Sequence, residues 1–246
     1  MITNNHNLLP ANYVFRDIKE RKAKYMAENP DIEIIDMGIG DVSRPLAARA
    51  SIVMAEKALS LAKSNEFTGY QGSEGTPEMK ESVREYYSRL GVATLPSEIF
   101  VNDGAKSDCA DIQTIFEAGT TYGIQDPAYP VYANSLILSG KAGEKIGEAK
   151  YENIVYLQFS EDNDFLPEIP DEKIDVLYLC FPNNPTGATA TNEQLQRYVD
   201  YANEHGSLLI YDAAYSWFVR DPDKPKSIYE VPGADKCAIE MQSLSK

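Results

Sequence analysis

Apolar residues recur along this chain with two periods, and the change from one to the other divides it. Between Val14 and Glu28 they fall at Phe15, Ile18, Tyr25 and Met26, with Lys22 adding its aliphatic stem. That is the spacing of one helix face, and Asn29-Pro30 stops it because proline cannot continue the ladder. The pattern predicts an N-terminal arm helix. Ile32 to Met37 then reads as a short strand leading into Gly38-Ile39-Gly40-Asp41. Ala47 to Lys63 reads as a helix with Ala50, Val53, Met54 and Leu61 on its apolar side. Thr76-Pro77 opens a further helix, with proline in the first turn where its missing N–H is harmless. Met79, Val83, Tyr86, Tyr87 and Leu90 form one face of it before Gly91 ends it.

From residue 99 short apolar runs alternate regularly with helical segments. Strands are predicted over Ile99–Asn102, Thr121–Gln125, Ile154–Gln158, Asp175–Cys180, Leu208–Asp212 and Ala238–Met241. Helices are predicted over Lys106–Glu117, over Val131–Ser139 closed by Gly140, and from the capping box Thr191-Asn192-Glu193-Gln194 to Gly206. Such alternation means βαβ units, and near-continuous apolar strands mean a mostly parallel sheet covered by helices on both faces. The expected class is therefore α/β. Gly140 to Asn153, rich in Gly, Lys and Glu, reads as an exposed loop or edge excursion, and no internal repeat or low-complexity linker interrupts the chain.

The charge balance narrows the function. The 246 residues carry 23 Lys+Arg against 38 Asp+Glu, a formal net charge of −15. Such a field repels nucleic acid and anionic lipid alike, so neither is an expected partner, and any phosphate must be held locally. A hydrophobic fraction of 43% with 25% charged residues is that of a globular protein. No apolar run approaches the roughly 20 residues that cross a bilayer, and the first residues have no basic and apolar leader, so a cytoplasmic location is the expectation. Cys109, Cys180 and Cys237 are odd in number and widely spaced, which predicts small buried hydrophobes, with no disulfide framework and no metal site.

In an open parallel sheet, ligands sit beyond the carboxyl ends of the strands, so the residues just past each strand are the ones to inspect for chemistry. After Val101 the turn Asn102-Asp103-Gly104-Ala105-Lys106-Ser107 feeds a helix N-terminus, which either cradles a phosphate or merely packs small residues tightly. No strand leads into a Walker loop or a GxGxxG string. After Gln125, prolines flank Tyr129, which is either a stacking platform for a flat ring or half-buried packing. After Cys180 the string Phe181-Pro182-Asn183-Asn184-Pro185-Thr186-Gly187 presents an amide in a fixed turn. Asp212 ends an apolar strand and needs a partner there, either the protonated ring nitrogen of a cofactor or a structural salt bridge. Lys246, in the segment Gln242-Ser243-Leu244-Ser245-Lys246, is a solvated tail or, in this company, an amine for covalent chemistry. An anion-binding turn, a stacking ring, a fixed amide, a buried aspartate and a lysine 34 residues after it are the requirements of a pyridoxal phosphate site.

With those residues in view, the chain resembles the class I and II aminotransferases of the fold type I pyridoxal-phosphate superfamily. Asn183-Asn184-Pro185-Thr186-Gly187 carries the wider likeness. Gly38-Ile39-Gly40-Asp41-Val42-Ser43-Arg44-Pro45-Leu46 and Asn102-Asp103-Gly104-Ala105-Lys106-Ser107-Asp108 are similar to strings of the LL-diaminopimelate aminotransferases. The resemblance implies transamination between glutamate/2-oxoglutarate and LL-diaminopimelate/tetrahydrodipicolinate in lysine biosynthesis. The alternatives are another aminotransferase or a β-lyase on the same scaffold, or a non-catalytic phosphate-binding module. It implies pyridoxal 5′-phosphate bound covalently to Lys246, with Asp212 on the pyridine nitrogen, Asn184 and Tyr215 on the ring's 3-oxygen, and Tyr129 stacked on the ring. Ala105, Lys106 and Ser243 would hold the phosphate, with Tyr70 reaching it from the other subunit of a homodimer. Tyr13, Gly40, Lys106, Tyr129 and Asn184 match positions that contact the amino-acid and keto-acid substrates. The implied division is an arm and part of a small domain over 1–40 and a cofactor-binding large domain over 41–246. Where the family has Tyr-Gly-Pro-Glu-Gln-Gly, this chain has Tyr70-Gln71-Gly72-Ser73-Glu74-Gly75, so Ser73 stands at a glutamate position. The family pattern also continues past the lysine, so the chain is expected to be an N-terminal fragment, inactive alone.

Overall fold

A computed structural model describes residues 3–10, 14–36, 44–163 and 165–246. Tyr13, Gly40 and the rest of the string 37–43 lie outside them. The chain forms two compact units, one of Pro10–Ser73 and one of Met1–Leu9 with Glu74–Lys246.

Within the smaller unit, α1 spans Val14–Glu28 and α2 spans Ala48–Ser60. Two exposed i,i+4 ion pairs, Arg16–Glu20 and Arg21–Asp17, each at 2.8 Å, run along α1. Lys22 Nζ donates to Asp36 Oδ2 at 2.6 Å. No residue of α2 is buried, and Ile52, Val53, Met54 and Leu59 all face outward. The strand expected over Ile32–Met37 does not form over the described residues Ile32–Asp36. A strand is a paired element, and no described residue of this unit lies in another strand to complete a ladder.

The larger unit is built on a five-stranded parallel sheet in the order β4-β1-β5-β6-β7. Its strands are β1 (Tyr122–Asp126), β4 (Ile154–Gln158), β5 (Val176–Cys180), β6 (Leu208–Asp212) and β7 (Ala238–Met241). A separate antiparallel hairpin, β2 (Lys145–Gly147) with β3 (Lys150–Tyr151), fills the segment expected to be an exposed loop. Tyr151 anchors it, buried and donating its hydroxyl to the Leu8 carbonyl at 2.6 Å. The helices are α3 (Pro77–Arg89), α4 (Ala105–Asp111), α5 (Val131–Ser139) and α6 (Asn192–His205). Thr76 caps α3, and Thr191 and Gln194 form the expected capping box on α6. Gly140 and Gly206 end α5 and α6 with φ of +77° and +65°, where a Cβ would be strained.

Two expected elements come out differently. Ile99–Asn102 is extended but outside the sheet, with Val101 N–H bonded to the Glu74 carbonyl at 3.1 Å. The helix expected to reach Glu117 is α-helical only to Asp111 and continues as a 3-10 turn over Ile112–Ile115. At this change of geometry the Gln113 side-chain Nε2 donates to the Cys109 carbonyl at 2.9 Å.

Alternation along the strands divides the core between the two faces. Leu177, Leu179, Leu209 and Tyr211 pack with Leu195, Tyr198, Val199 and Ala202 of α6. Tyr122, Ile124, Tyr178, Cys180 and Ile210 pack with Val131, Tyr132, Leu136 and Ile137 of α5 and with Cys109 of α4. Leu177 is fully buried at the centre of the first face. Leu177→Ala is expected to lower stability in urea unfolding by about 2 to 5 kcal/mol, the transfer term plus the cavity. A loss below about 1 kcal/mol would show that the sheet centre is not the packing core.

Candidate active site

Strand pairing sets the site. Asp212, the last residue of β6, lies in register with Cys180 of β5 and Met241 of β7. It shares the α5 side of the sheet with Ile210, because side chains two apart in a strand point the same way. Its carboxylate is buried, with Oδ2 accepting from the Tyr132 hydroxyl at 2.5 Å and Oδ1 from the Ala214 N–H at 3.0 Å. Burial raises the Asp212 carboxyl above the ordinary carboxylate range, and the two hydrogen bonds pull it partly back. Among the described residues no basic side chain pairs with it, so of the two partners expected for it the structural salt bridge is absent.

The loops beyond β1, β5, β6 and β7 bring the other candidates to this end. Tyr129 meets Tyr132 edge-on at 5.8 Å, and Tyr132 stacks on Tyr178 at 5.1 Å, so Tyr129 stands one ring away from the Asp212 carboxylate. Asn183 fixes the loop after β5: its Nδ2 donates to the Thr186 hydroxyl at 2.9 Å and to the Pro127 carbonyl at 3.3 Å. The peptide bonds before Pro127, Pro182 and Pro185 are cis. Asn184 then presents its amide to Tyr215, donating to the hydroxyl at 3.3 Å. Desolvation raises the Tyr215 phenol, Cys180 and Asp212 raise it further, and Asn184 lowers it. Lys246 Nζ stands 5.7 Å from the centre of the Tyr215 ring.

The start of α4 belongs to the same face. Ala105 packs against the α5-side core, and Cys109 Sγ is 3.6 Å from Met241 Sδ beside the end of β7. Gly104 caps the helix with φ of +130°, and its carbonyl takes the N–H groups of Ser107 and Asp108 at 2.9 and 3.3 Å. The amides of Ala105 and Lys106 thus open the first turn. Ser243 and Ser245 join through their hydroxyls at 2.6 Å, which turns the segment before Lys246.

The structure therefore gathers Tyr129, Asn184, Asp212, Tyr215 and Lys246, with Ala105 and Lys106 on the adjoining helix. Tyr70 belongs to the other unit and is fully exposed; Tyr13 and Gly40 lie outside the described residues. Glu74, one position beyond Ser73, is paired with Lys80 at 2.9 Å. Sequence reasoning missed Tyr132, which holds the aspartate from 80 residues away; its only signal was its place one helical turn after Tyr129.

A family model described as aminotransferase class I and II matches residues 32–246. The chain belongs to that family. Among its aminotransferase relatives, the LL-diaminopimelate aminotransferase of Desulfotalea psychrophila is 46% identical over all of this chain and 61% of its own length. That of Prochlorococcus marinus is 44% identical over all of this chain and 60% of its own. The solved L,L-diaminopimelate aminotransferase of Chlamydomonas reinhardtii superposes with a TM-score of 0.88 at 38% identity, over 99% of this chain and 60% of that one. The chain thus spans about three fifths of the length of the relatives it matches. No described helix is long and apolar enough to cross a membrane.

A raised carboxyl has a definite sign in stability. Below the ordinary aspartate range the group is protonated in both states and burial is harmless; as pH rises through the interval up to the raised value, keeping it folded costs stability. The stability of Asp212→Asn minus that of the unsubstituted chain is therefore expected to grow as pH climbs above about 4. Unfolding curves at a series of pH values would show this, and a flat difference would mean the carboxylate is solvated or already paired.

Proposed function

We propose that the complete protein carrying this chain is a pyridoxal-phosphate-dependent aminotransferase that moves an amino group between glutamate/2-oxoglutarate and LL-diaminopimelate/tetrahydrodipicolinate, on the route to lysine. The observation that carries the chemistry is a buried aspartate held by two neutral donors, with a tyrosine–asparagine pair and a lysine beside it and no basic partner among the described residues. The identities with curated relatives of that name support the substrate pair.

The residues present fit the cofactor. Pyridoxal phosphate, when bound, supplies an aldehyde for the amino group and a protonated ring that withdraws electrons from the substrate's Cα. With it bound, Asp212 would hold the proton on the ring nitrogen, a cation for its buried carboxylate. Asn184 and Tyr215 would hydrogen-bond the cofactor's 3-oxygen, and Tyr129 would cover the ring. The amides of Ala105 and Lys106, with the Ser243 hydroxyl, hold the phosphate at the start of α4. Lys246 would hold the cofactor through Nζ and, when released, would serve as the base at the substrate's Cα. We assign substrate contacts to Tyr13, Gly40, Lys106, Tyr129 and Asn184. We also infer a homodimer in which Tyr70 reaches the phosphate of the opposite subunit, a reading supported by the exposed apolar residues of α2.

In the complete protein, Asp212→Ala is expected to leave the far-ultraviolet circular dichroism unchanged and to lower transamination by several orders of magnitude; near-normal turnover would remove Asp212 from the mechanism. Lys246→Ala should abolish borohydride fixation of added pyridoxal phosphate on the peptide that contains that residue. Mixing Tyr70→Phe and Lys246→Ala subunits should regenerate some sites with both residues intact, and exchanged dimers without recovered activity would refute the cross-subunit contact.

A further inference from the structure

A second carboxylate lies one strand from Asp212 and has no part in the chemistry above. Glu240 is in register with Tyr211, on the opposite side of the sheet from Asp212. Its two oxygens collect four donors. Oε1 accepts from the Tyr87 hydroxyl at 2.7 Å and from Gln242 Nε2 at 3.1 Å; Oε2 accepts from the Ser227 hydroxyl at 2.7 Å and the Ile228 N–H at 2.8 Å. The donors come from α3, from the turn at 227–230 and from the exit of β7. Aromatic rings enclose this group: Tyr86 lies 5.2 Å from Tyr87 and 4.6 Å from Trp217, and Tyr229 lies 6.2 Å from Tyr87. Burial raises the Glu240 carboxyl, and the donors oppose that.

Clamping α3 to the sheet would need only the Tyr87 bond. The other branch runs toward the site. Gln242 Nε2 also reaches the Ser216 hydroxyl at 3.2 Å, so one amide group spans Glu240 and Ser216. Ser216 is fully buried and adjoins Tyr215; Gln242 stands at the head of the segment that ends in Lys246. A carboxylate accepts only, so it dictates that Gln242 turns its NH2 inward.

We propose that Glu240 is a positioning residue which, through Gln242 and Ser216, fixes the loops that carry Tyr215 and Lys246. Its meaning for catalysis rests on the cofactor reading above, while the linkage itself stands on the hydrogen bonds. Glu240→Gln replaces one acceptor oxygen by a donor and breaks the chain of donors.

The test compares Glu240→Gln, Gln242→Ala and the double variant by amide hydrogen exchange without cofactor. Exchange over residues 213–218 and 242–245 is expected to quicken by about tenfold or more in each single variant, as befits one lost hydrogen bond to a charged group. β5 and α6 should keep their protection, and the double variant should add nothing to either single one, because both break the same link. With pyridoxal phosphate added to the complete protein, the visible absorption band of cofactor held at Lys246 should shift in position in both variants, which a merely structural change elsewhere would not produce. Unchanged exchange in the two loops, a rise spread over the whole sheet, or additive effects would overturn the proposal. If Glu240→Gln does not fold, Gln242→Ala carries the same test. If the unsubstituted protein takes up no pyridoxal phosphate at Lys246, the cofactor reading fails and the exchange experiment still decides the role of Glu240.

Discussion

The carboxylate of Asp212 sits at the end of a buried strand, out of water, with two neutral donors and no countercharge among the described residues. Neutral donors fix where a charge lies but do not cancel the work of removing it from water. The surroundings deepen that imbalance. Cys180 and Met241 flank the residue in register, and Tyr132, which donates to it, stacks on Tyr178. Under the function proposed above, such an arrangement suits a ligand that brings a proton on nitrogen, because the aspartate is already held in place by its two hydrogen bonds.

The rest of the site is a consequence of the parallel sheet. All five strands run the same way, so their carboxyl ends share one edge, and the exits of β1, β5, β6 and β7 deliver their residues there. The loops divide the work between neighbours in sequence. Asn183 is buried and binds the loop to itself and to Pro127, which leaves Asn184 to face Tyr215. Tyr132 holds Asp212 while Tyr129, three residues earlier, stands at the rim. Glu240, half-buried on the opposite side of the sheet, meets four donors that bind three segments together.

Much of this architecture is legible in the sequence. The strands from Tyr122 to Met241 match their apolar runs nearly to the residue, since each run is closed by turn-forming residues, and the caps of α6 are spelled out by Thr191, Gln194 and Gly206. The failures share a cause. Ile32–Asp36 and Ile99–Asn102 have the composition of strands but no ladder to join, and a strand without a partner is only extended chain. Lys106–Glu117 has helical periodicity, yet it is α-helical only to Asp111 and ends as a 3-10 turn at Ile115. The hairpin within Gly140–Asn153 is hidden because Tyr151 is held by long-range contacts, among them its hydrogen bond to the Leu8 carbonyl 143 residues away.

The sequence by itself determined which chemical groups stand at the strand ends, because strand, turn and helix signals are local and the residues after each strand can be read directly. It determined Asp212, Asn184, Tyr129, Tyr215 and Lys246 as types and positions, and it left open whether Asp212 met a salt bridge or a cofactor. Only the tertiary structure removed the salt bridge among the described residues, since the absence of a basic partner is a property of neighbours drawn from several strands and helices. It alone brought Tyr132 to Asp212 and Gln242 to Ser216. Those contacts join residues 80 and 26 positions apart, and their pairing depends on sheet order and register, which no local pattern encodes.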